Sequence, residues 1–481
     1  MKILMASSEV FPYSKTGGLA DMTAALAKTL AAAGHQVGLV TPLYAGIQER
    51  FPDLARLDWK MNLPLGAEWV SATVFTCNPA PNLTVYFIAQ PSLYERKDLY
   101  LENGQEFPDN ARRFIFYAKA VTHLARYLPW QPELVHLHDW QTALVPLFIR
   151  YQALLAGWHN SPATCLTIHN LAYQGVYPHD SYRQTNLPWE YFHAEGAEYY
   201  GRFSFLKTGL VFVDQITAVS PTYAREIQTP EQGCGLEGLL RRRNGVLTGI
   251  LNGADYDDWN TTHNPCLEHP YDVQHLYGKK AEKKRLQKEL GLAVAEGVPL
   301  FGNIGRLADQ KGVDILIGAL EEMLDSEMQF VSLGSGAAIY ERALRDLHQR
   351  FPDKVVVRTE YNHALAHHIE AACDFFLMPS RYEPCGLNQM YSLRYGTIPI
   401  VRATGGLADS VIDLRESKTK ANGIKFHDYS SLALAKAMLK GMVVYRTPPL
   451  LQRMRQNGMK ADFSWQATAS HYLEVYQKAL S

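Results

Sequence analysis

The sextet Thr16-Gly17-Gly18-Leu19-Ala20-Asp21 recurs letter for letter at Thr404-Gly405-Gly406-Leu407-Ala408-Asp409. A Gly-Gly turn that opens a helix lets backbone N–H groups close on an anion, and the helix dipole favours negative charge there. Identity at every position of the sextet makes an accidental match unattractive, so both copies read as anion-facing turns. Cations stand close by. Lys15 precedes the first copy, and Arg306 and Lys311 lie in the loop Gly305-Arg306-Leu307-Ala308-Asp309-Gln310-Lys311-Gly312. A planar guanidinium fork and two ammonium point charges together suit a diphosphate. Neither turn has the G-x-G-x-x-G or G-x-x-x-x-G-K-[ST] spacing, which tells against a dinucleotide fingerprint and a P-loop.

Other side chains able to do chemistry sit at predicted strand ends. Glu383 lies in Pro379-Ser380-Arg381-Tyr382-Glu383-Pro384-Cys385-Gly386-Leu387, between a strand and a helix. A carboxylate in such a turn suits a sugar hydroxyl; the alternative is a structural cap. His136-Leu137-His138-Asp139-Trp140 and Thr167-Ile168-His169-Asn170 also end strands, on one strand-end face. Metal ligation finds little support. His136 and His138 are expected on opposite faces, His363, His367 and His368 read as a solvated helix, and Asp255-Tyr256-Asp257 suits a turn after Asn252-Gly253. No metal or cofactor is expected.

The elements that must carry these groups alternate. Residues 3–6 read as a buried strand, 19–33 as a helix that Gly34 stops, and 37–40 as the next strand. This βαβ unit implies a parallel sheet covered by helices. Further strands are expected at 74–75, 83–88, 134–137, 165–168 and 215–219. The pattern restarts with strands at 300–304, 330–333, 355–358, 375–378 and 399–401, and a helix at 313–324. A boundary after Gly253 precedes a polar stretch, 255–277, and the charge run 279–288 reads as a solvated helix face with Leu286 and Leu290 inward. In open α/β sheets ligands sit at the carboxyl ends of strands, where these turns and loops lie.

The bulk numbers agree with a large enzyme. A chain of 481 residues suits two domains. Its 47 basic and 48 acidic residues leave a net charge of −1, which tells against a nucleic-acid or membrane-surface binder. Six cysteines with no C-x-x-C pair read as free thiols in a reducing compartment. The chain enters an apolar strand directly after Met1-Lys2, without the features of a signal or transit peptide, and holds no run of ~18 apolar residues to span a bilayer. A cytoplasmic location is expected.

Read together, Lys15 to Asp21, His138-Asp139-Trp140, Thr167 to Gly175, Leu251-Asn252-Gly253, Gly305-Arg306 to Lys311-Gly312, Arg381 to Leu387 and Thr404 to Leu407 resemble bacterial glycogen synthases and plant starch synthases. The resemblance runs in order from the first strand to the last helix. It implies an α/β, GT-B architecture: two Rossmann-like domains whose parallel sheets face across a deep cleft. Residues 1–253 form the acceptor-side domain and 254–458 the donor-side domain, while 459–481 supply a helix that crosses back to complete the first. The implied reaction transfers glucose from ADP-glucose to the non-reducing end of an α-1,4-glucan, with retention of configuration and release of ADP.

Individual roles follow from the same resemblance. Lys15, Arg306 and Lys311 hold the diphosphate, helped by Gly18 and the Thr404-Gly405 backbone. Glu383 holds the glucose, with Cys385, Gly386 and Leu387 presenting N–H groups to its hydroxyls. His169 and Asn252 face the sugar, Tyr361 stacks on adenine, and Asp139 and Trp140 lie on the acceptor side. Glu383, Arg306, Lys311, His169 and Lys15 form the expected catalytic set. One departure stands out: the second carboxylate of the E-x7-E pattern common among related transferases is Tyr391 here. A mechanism that needs two such carboxylates is therefore disfavoured. Rival readings are a transferase with another donor or acceptor, a non-catalytic glucan-binding scaffold, and a two-domain dehydrogenase.

Overall fold

The computed structural model describes residues 1–102 and 104–481 and divides the chain into two compact units. Unit 1 comprises Met1–Val219, Ala224–Ile250 and Trp465–Ser481; unit 2 comprises Ser220–Tyr223 and Leu251–Ser464.

Unit 1 is built, among the described residues, on a nine-stranded sheet. Its strands are β1 (Lys2–Ala6), β2 (Gln36–Pro42), β3 (Ala55–Leu65), β4 (Glu68–Ala80), β5 (Leu83–Ala89), β6 (Leu134–His138), β7 (Ala163–Ile168), β8 (Gln215–Ala218) and β9 (Leu247–Gly249). They lie in the order β9-β8-β7-β6-β1-β2-β5-β4-β3. Ile3, Leu4, Met5 and Ala6 are all buried, the continuous apolar run expected of a strand covered on both faces. β4 departs from the parallel expectation, running against both β3 and β5. A two-residue Gly66-Ala67 connection makes this hairpin, with Gly66 in the left-handed region at φ 64°.

The helix Gly18–Ala32 buries Met22, Leu26, Ala27 and Leu30. The closing helix Trp465–Leu480 packs on it and on β6, β7 and β8. Tyr476, fully buried on that last helix, places its hydroxyl 2.8 Å from His136 Nδ1.

Unit 2 carries a six-stranded, all-parallel sheet: β10 (Leu300–Ile304), β11 (Gln329–Leu333), β12 (Val355–Arg358), β13 (Phe375–Met378), β14 (Ile398–Arg402) and β15 (Ile424–Phe426). The spatial order is β12-β11-β10-β13-β14-β15, the doubly wound Rossmann order. Below the sheet, Asp374 bonds the N–H of Leu300 at 2.9 Å, Lys283 at 2.7 Å and Arg455 at 2.6 Å. Although burial works to raise its pKa, the Lys283 and Arg455 charges hold the Asp374 carboxyl below its ordinary range. That triad fixes the starts of β10 and β13 against each other.

The expected solvated face of the charge run 279–288 is corrected here. Lys279, Glu282, Lys283 and Gln287 are buried, because each head group finds a partner inside the fold. Lys279, for example, donates to the Ala371 carbonyl at 2.9 Å and Thr397 Oγ1 at 2.6 Å. All six cysteines are free thiols. Among the described residues, no helix is long and apolar enough to cross a membrane.

Candidate functional site

In unit 2 the chain winds outward in opposite directions from the adjacent strands β10 and β13. A ligand crevice belongs at the carboxyl ends of two such strands. The loop leaving β10 carries Arg306 and Lys311, and the loop leaving β13 carries Glu383. The two loops are joined. Lys311 Nζ lies 2.6 Å from Glu383 Oε2, and Ser380 Oγ donates to the same oxygen at 3.0 Å. The Arg381 N–H donates to the Gln310 carbonyl at 2.8 Å, tying the loop backbones as well. Glu383 is almost fully buried and Lys311 mostly so, while Arg306 is exposed.

The second sextet packs against this pair at close quarters. A side chain on Gly405 would bring its Cβ to 1.9 Å from the Glu383 carbonyl oxygen, and one on Gly406 would bring it to 2.0 Å from the Cys385 oxygen. Gly405 also adopts φ 45°. The Gly406 N–H bonds the Glu383 and Pro384 carbonyls, each at 3.2 Å. Only glycine permits this approach, which sets the backbone of Glu383, Pro384 and Cys385. Asp409, the last residue of the sextet, accepts from the N–H of Thr222 at 2.7 Å and from its hydroxyl at 2.6 Å.

The remaining residues expected on the donor side fall into two groups. Asn252 is buried, and its Oδ1 has no hydrogen-bond partner among the described residues. Such an orphaned acceptor costs about 1–3 kcal/mol, so a donating hydroxyl would be favoured there. The Asn252 N–H bonds the Cys385 thiol, whose pKa burial pushes up to about 12. The thiol is thus neutral and acts, if at all, through its backbone. Leu387 caps the short helix Asn388–Arg394, and Thr404 caps Gly405–Ser410. Tyr361, after β12, stands apart with 88% of its surface exposed, an open ring face able to stack.

Unit 1 has its own switch point, between β1 and β6. After β1, buried Glu9 organises the turn that leads into the first sextet. It accepts from the Thr16 N–H, the Thr16 hydroxyl at 2.6 Å, the Gly17 N–H at 3.3 Å and the Tyr100 hydroxyl at 2.8 Å. Gly17 caps the helix from Gly18 without any side-chain cap. A Cβ on either glycine would meet nothing within 4 Å, so this turn is open where the second is packed. Lys15 pairs with Asp21 at 2.8 Å, both side chains being well exposed. Such a surface pair contributes only ~0–1 kcal/mol and yields readily to a stronger anion.

After β6, two placements differ from the expectation. His136 and His138 share a face, with ring centroids 4.2 Å apart, because side chains two apart along a strand point the same way. Trp140 is a core residue, wedged against Phe114, Tyr177 and Phe205, so any effect on an acceptor passes through packing. Asp139 accepts from the His169 N–H at 2.7 Å, which makes it a positioning group for that histidine. Burial raises the Asp139 pKa to about 7 and lowers those of His136 and His169 to about 3. His138 Nδ1 lies 3.1 Å from His169 Nε2, while its own Nε2 has no partner among the described residues.

The supposed solvated helix at His363 is also corrected: His367 is fully buried, with its ring stacked on Trp259 at 4.0 Å. Tyr391, in the place of a second carboxylate, stacks on the same indole at 4.1 Å. Sequence reasoning missed Glu9 and Ser380. Glu9 was signalled only by an acidic residue within a buried stretch; Ser380 gave no signal.

Known proteins match along the whole chain. The starch synthase catalytic domain family matches residues 2–242, and glycosyl transferases group 1 matches residues 283–461. A glycogen synthase of Thioalkalivibrio sulfidiphilus is 43% identical over the full length of both chains. Glycogen synthase 2 of Nitrosococcus oceani is 42% identical, covering 100% of this chain and 98% of its own. Among solved structures, the catalytic domain of starch synthase IV from Arabidopsis thaliana, bound to ADP and acarbose, matches with a TM-score of 0.89. It is 34% identical and covers 100% of this chain and 99% of its own.

Proposed function

This chain belongs to the glycogen and starch synthase family of glycosyltransferases, and we propose that its donor is ADP-glucose and its acceptor the non-reducing end of an α-1,4-glucan. The starch synthase IV structure, with ADP bound, supports the choice of nucleotide. The observation that carries the assignment of the reacting end is the Lys311–Glu383 pair at 2.6 Å, held at the switch point of unit 2.

As the bond between glucose and diphosphate breaks, negative charge grows on the leaving group and positive charge on the sugar. Groups fixed where that charge develops lower the barrier, because they favour the transition state over the ground state. We assign Arg306 and Lys311 to the diphosphate, with the Thr404-Gly405 backbone beside them. Glu383 takes the glucose hydroxyls, and the N–H groups of Cys385, Gly386 and Leu387 complete their hydrogen bonding. Asn252 offers its unpaired oxygen to the same sugar. From unit 1, Lys15 and the N–H groups at Gly18 are assigned to the diphosphate, and His169 to the glucose. His169 serves as a neutral hydrogen-bonding group, since burial holds its pKa at about 3. Tyr361 stacks on adenine.

With Tyr391 where a second carboxylate would stand, retention is assigned to front-face attack. In that path a leaving diphosphate oxygen takes the proton of the attacking hydroxyl, and both the C–O bond made and the one broken lie on one face of the sugar. Cations then do the work that a metal would otherwise do, and no metal is required. The test offers ADP-glucose and UDP-glucose separately, with glycogen, and measures the nucleoside diphosphate released. Glycogen-dependent ADP release is expected; preferential UDP release refutes the donor assignment.

A further inference from the structure

We propose that Asp258, His363 and His367, residues to which no donor role is assigned, form a binding site in unit 2 for one divalent transition-metal ion of the zinc class. His363 and His367 are about one turn apart on the helix His363–Ala372, so both rings project from one face. Their Nε2 atoms lie 3.3 Å apart. Asp258, from the turn that Asp255 caps, brings Oδ2 to 3.2 Å from His363 Nε2 and Oδ1 to 3.7 Å from His367 Nε2. A tetrahedral ion with bonds of ~2.0–2.1 Å holds its ligand atoms about 3.3 Å from one another. One ligand atom from each side chain lies within 4.8 Å of the other two, close enough for a single ion to draw the three together.

The surroundings support the more buried ligand. His367 is stacked on Trp259, and its Nδ1 lies 2.8 Å from the Tyr395 hydroxyl. Metal binding needs the His367 proton on Nδ1, donated to that hydroxyl, which leaves the Nε2 lone pair facing His363 and Asp258. The Asn264 amide then donates to the Tyr395 oxygen and the Asp258 carbonyl. Asn264 Nδ2, 3.0 Å from the same Nδ1, bonds the Tyr395 oxygen at 2.9 Å. An outer hydrogen bond of this kind fixes the ring orientation of a metal-binding histidine. The other two ligands have side chains 49% and 45% exposed, so an ion can enter and keep a solvent ligand in its fourth position. Two imidazoles and one carboxylate suit zinc, cobalt or nickel, whereas magnesium and calcium prefer oxygen donors throughout. The ion would clamp the 255–259 turn to the helix that begins two residues after Tyr361.

The test titrates the full-length, chelator-stripped protein with Co²⁺ and reads its visible absorption, then adds Zn²⁺ in competition. Wild type is compared with His363→Ala and Asp258→Asn, both at half-exposed positions, with the unfolding midpoint of each variant checking that it is folded. We expect one Co²⁺ per chain with tetrahedral absorption, displaced by Zn²⁺. Each variant should weaken binding by at least the ~10–100-fold that loss of an outer-shell partner alone costs, with turnover unchanged. No absorption in the wild type at micromolar Co²⁺, or absorption that survives in either variant, overturns the site.

Discussion

Lys311→Ala separates what the Lys311–Glu383 pair does for folding from what it does for turnover. Removing the ammonium leaves the Glu383 carboxylate, with a side chain only 7% exposed, without its countercharge. Breaking a fully buried pair costs ~3–5 kcal/mol. The Lys311 side chain is 28% exposed and Ser380 still donates to the carboxylate, so the expected loss is smaller, about 1–3 kcal/mol. For a domain of this size that lowers the melting midpoint by ~2–4 °C per kcal/mol. Turnover should fall much further. Loss of one preorganised group facing transition-state charge costs ~10²–10³ in kcat.

The double variant Lys311→Ala/Glu383→Gln discriminates between the two effects. A neutral amide of the same volume needs no countercharge and can still bond Ser380, so stability should recover toward wild type. Activity should not recover. Urea unfolding of the four proteins in the cycle, with ADP release at saturating donor, measures both quantities. Near-wild-type kcat in Lys311→Ala refutes the charge assignment. Strictly additive unfolding energies, for groups 2.6 Å apart, refute the stability reasoning.

Three further outcomes are expected. Gly406→Ala should unfold or severely destabilise unit 2, because its Cβ meets the Cys385 oxygen at 2.0 Å, whereas Gly17→Ala, with nothing within 4 Å, should change stability by only ~1 kcal/mol and act on KM for the donor; equal effects on unfolding midpoints would contradict the unequal packing. Stability of unit 1 should fall as pH drops from about 6.5 toward 3, since His136, His138 and His169 are held neutral by burial while the unfolded chain takes up protons in that window. Asp139 acts in the opposite sense, with a pKa raised to about 7, so it contributes stability at low pH that is lost as pH rises from ~4 to 7; urea midpoints across pH 4–7.5 should therefore slope less steeply in His169→Asn than in the wild type, and identical slopes would count against a neutral buried His169. Turnover should persist in excess chelator, including after the Asp258 site is stripped; a strict metal requirement in the ADP-release assay would count against the cation assignment.

Much of the parallel framework was legible because both faces of these strands are covered. Continuous apolar runs such as Ile3–Ala6 and Phe375–Met378 carry a signal that needs no partner to interpret. The hairpin β3–β4 was not legible as such: its strands lie at the sheet edge, with exposed residues interleaved, and only residues 74–75 of β4 were anticipated. The charge run at 279–288 misled for a different reason. Lysines there bury their stems and heads because Asp374, Thr397 and backbone carbonyls wait inside, and those partners lie about a hundred residues away in sequence. The strand-end placement of Arg306, Lys311 and Glu383 was readable because each follows an apolar strand, the edge at which open α/β sheets bind ligands. His367 was not, since its burial depends on Trp259 and Tyr395 arriving from elsewhere in the chain.

The duplicated sextet shows why identical letters need not mean identical work. At Gly405 and Gly406 the absence of a side chain is a packing requirement, because the backbone of Glu383 to Cys385 occupies the space a Cβ would need. At Gly17 and Gly18 that space is empty, so packing gives no reason for glycine there. A helix start without a side-chain cap, beside a cation paired with an exposed aspartate, suits the diphosphate role proposed for it. The aspartates diverge in the same way: Asp21 holds Lys15 in a bond that a diphosphate can displace, while Asp409 fastens the Thr222 backbone. The second copy therefore shapes the carboxylate turn, and the first keeps the open geometry that its proposed diphosphate role needs.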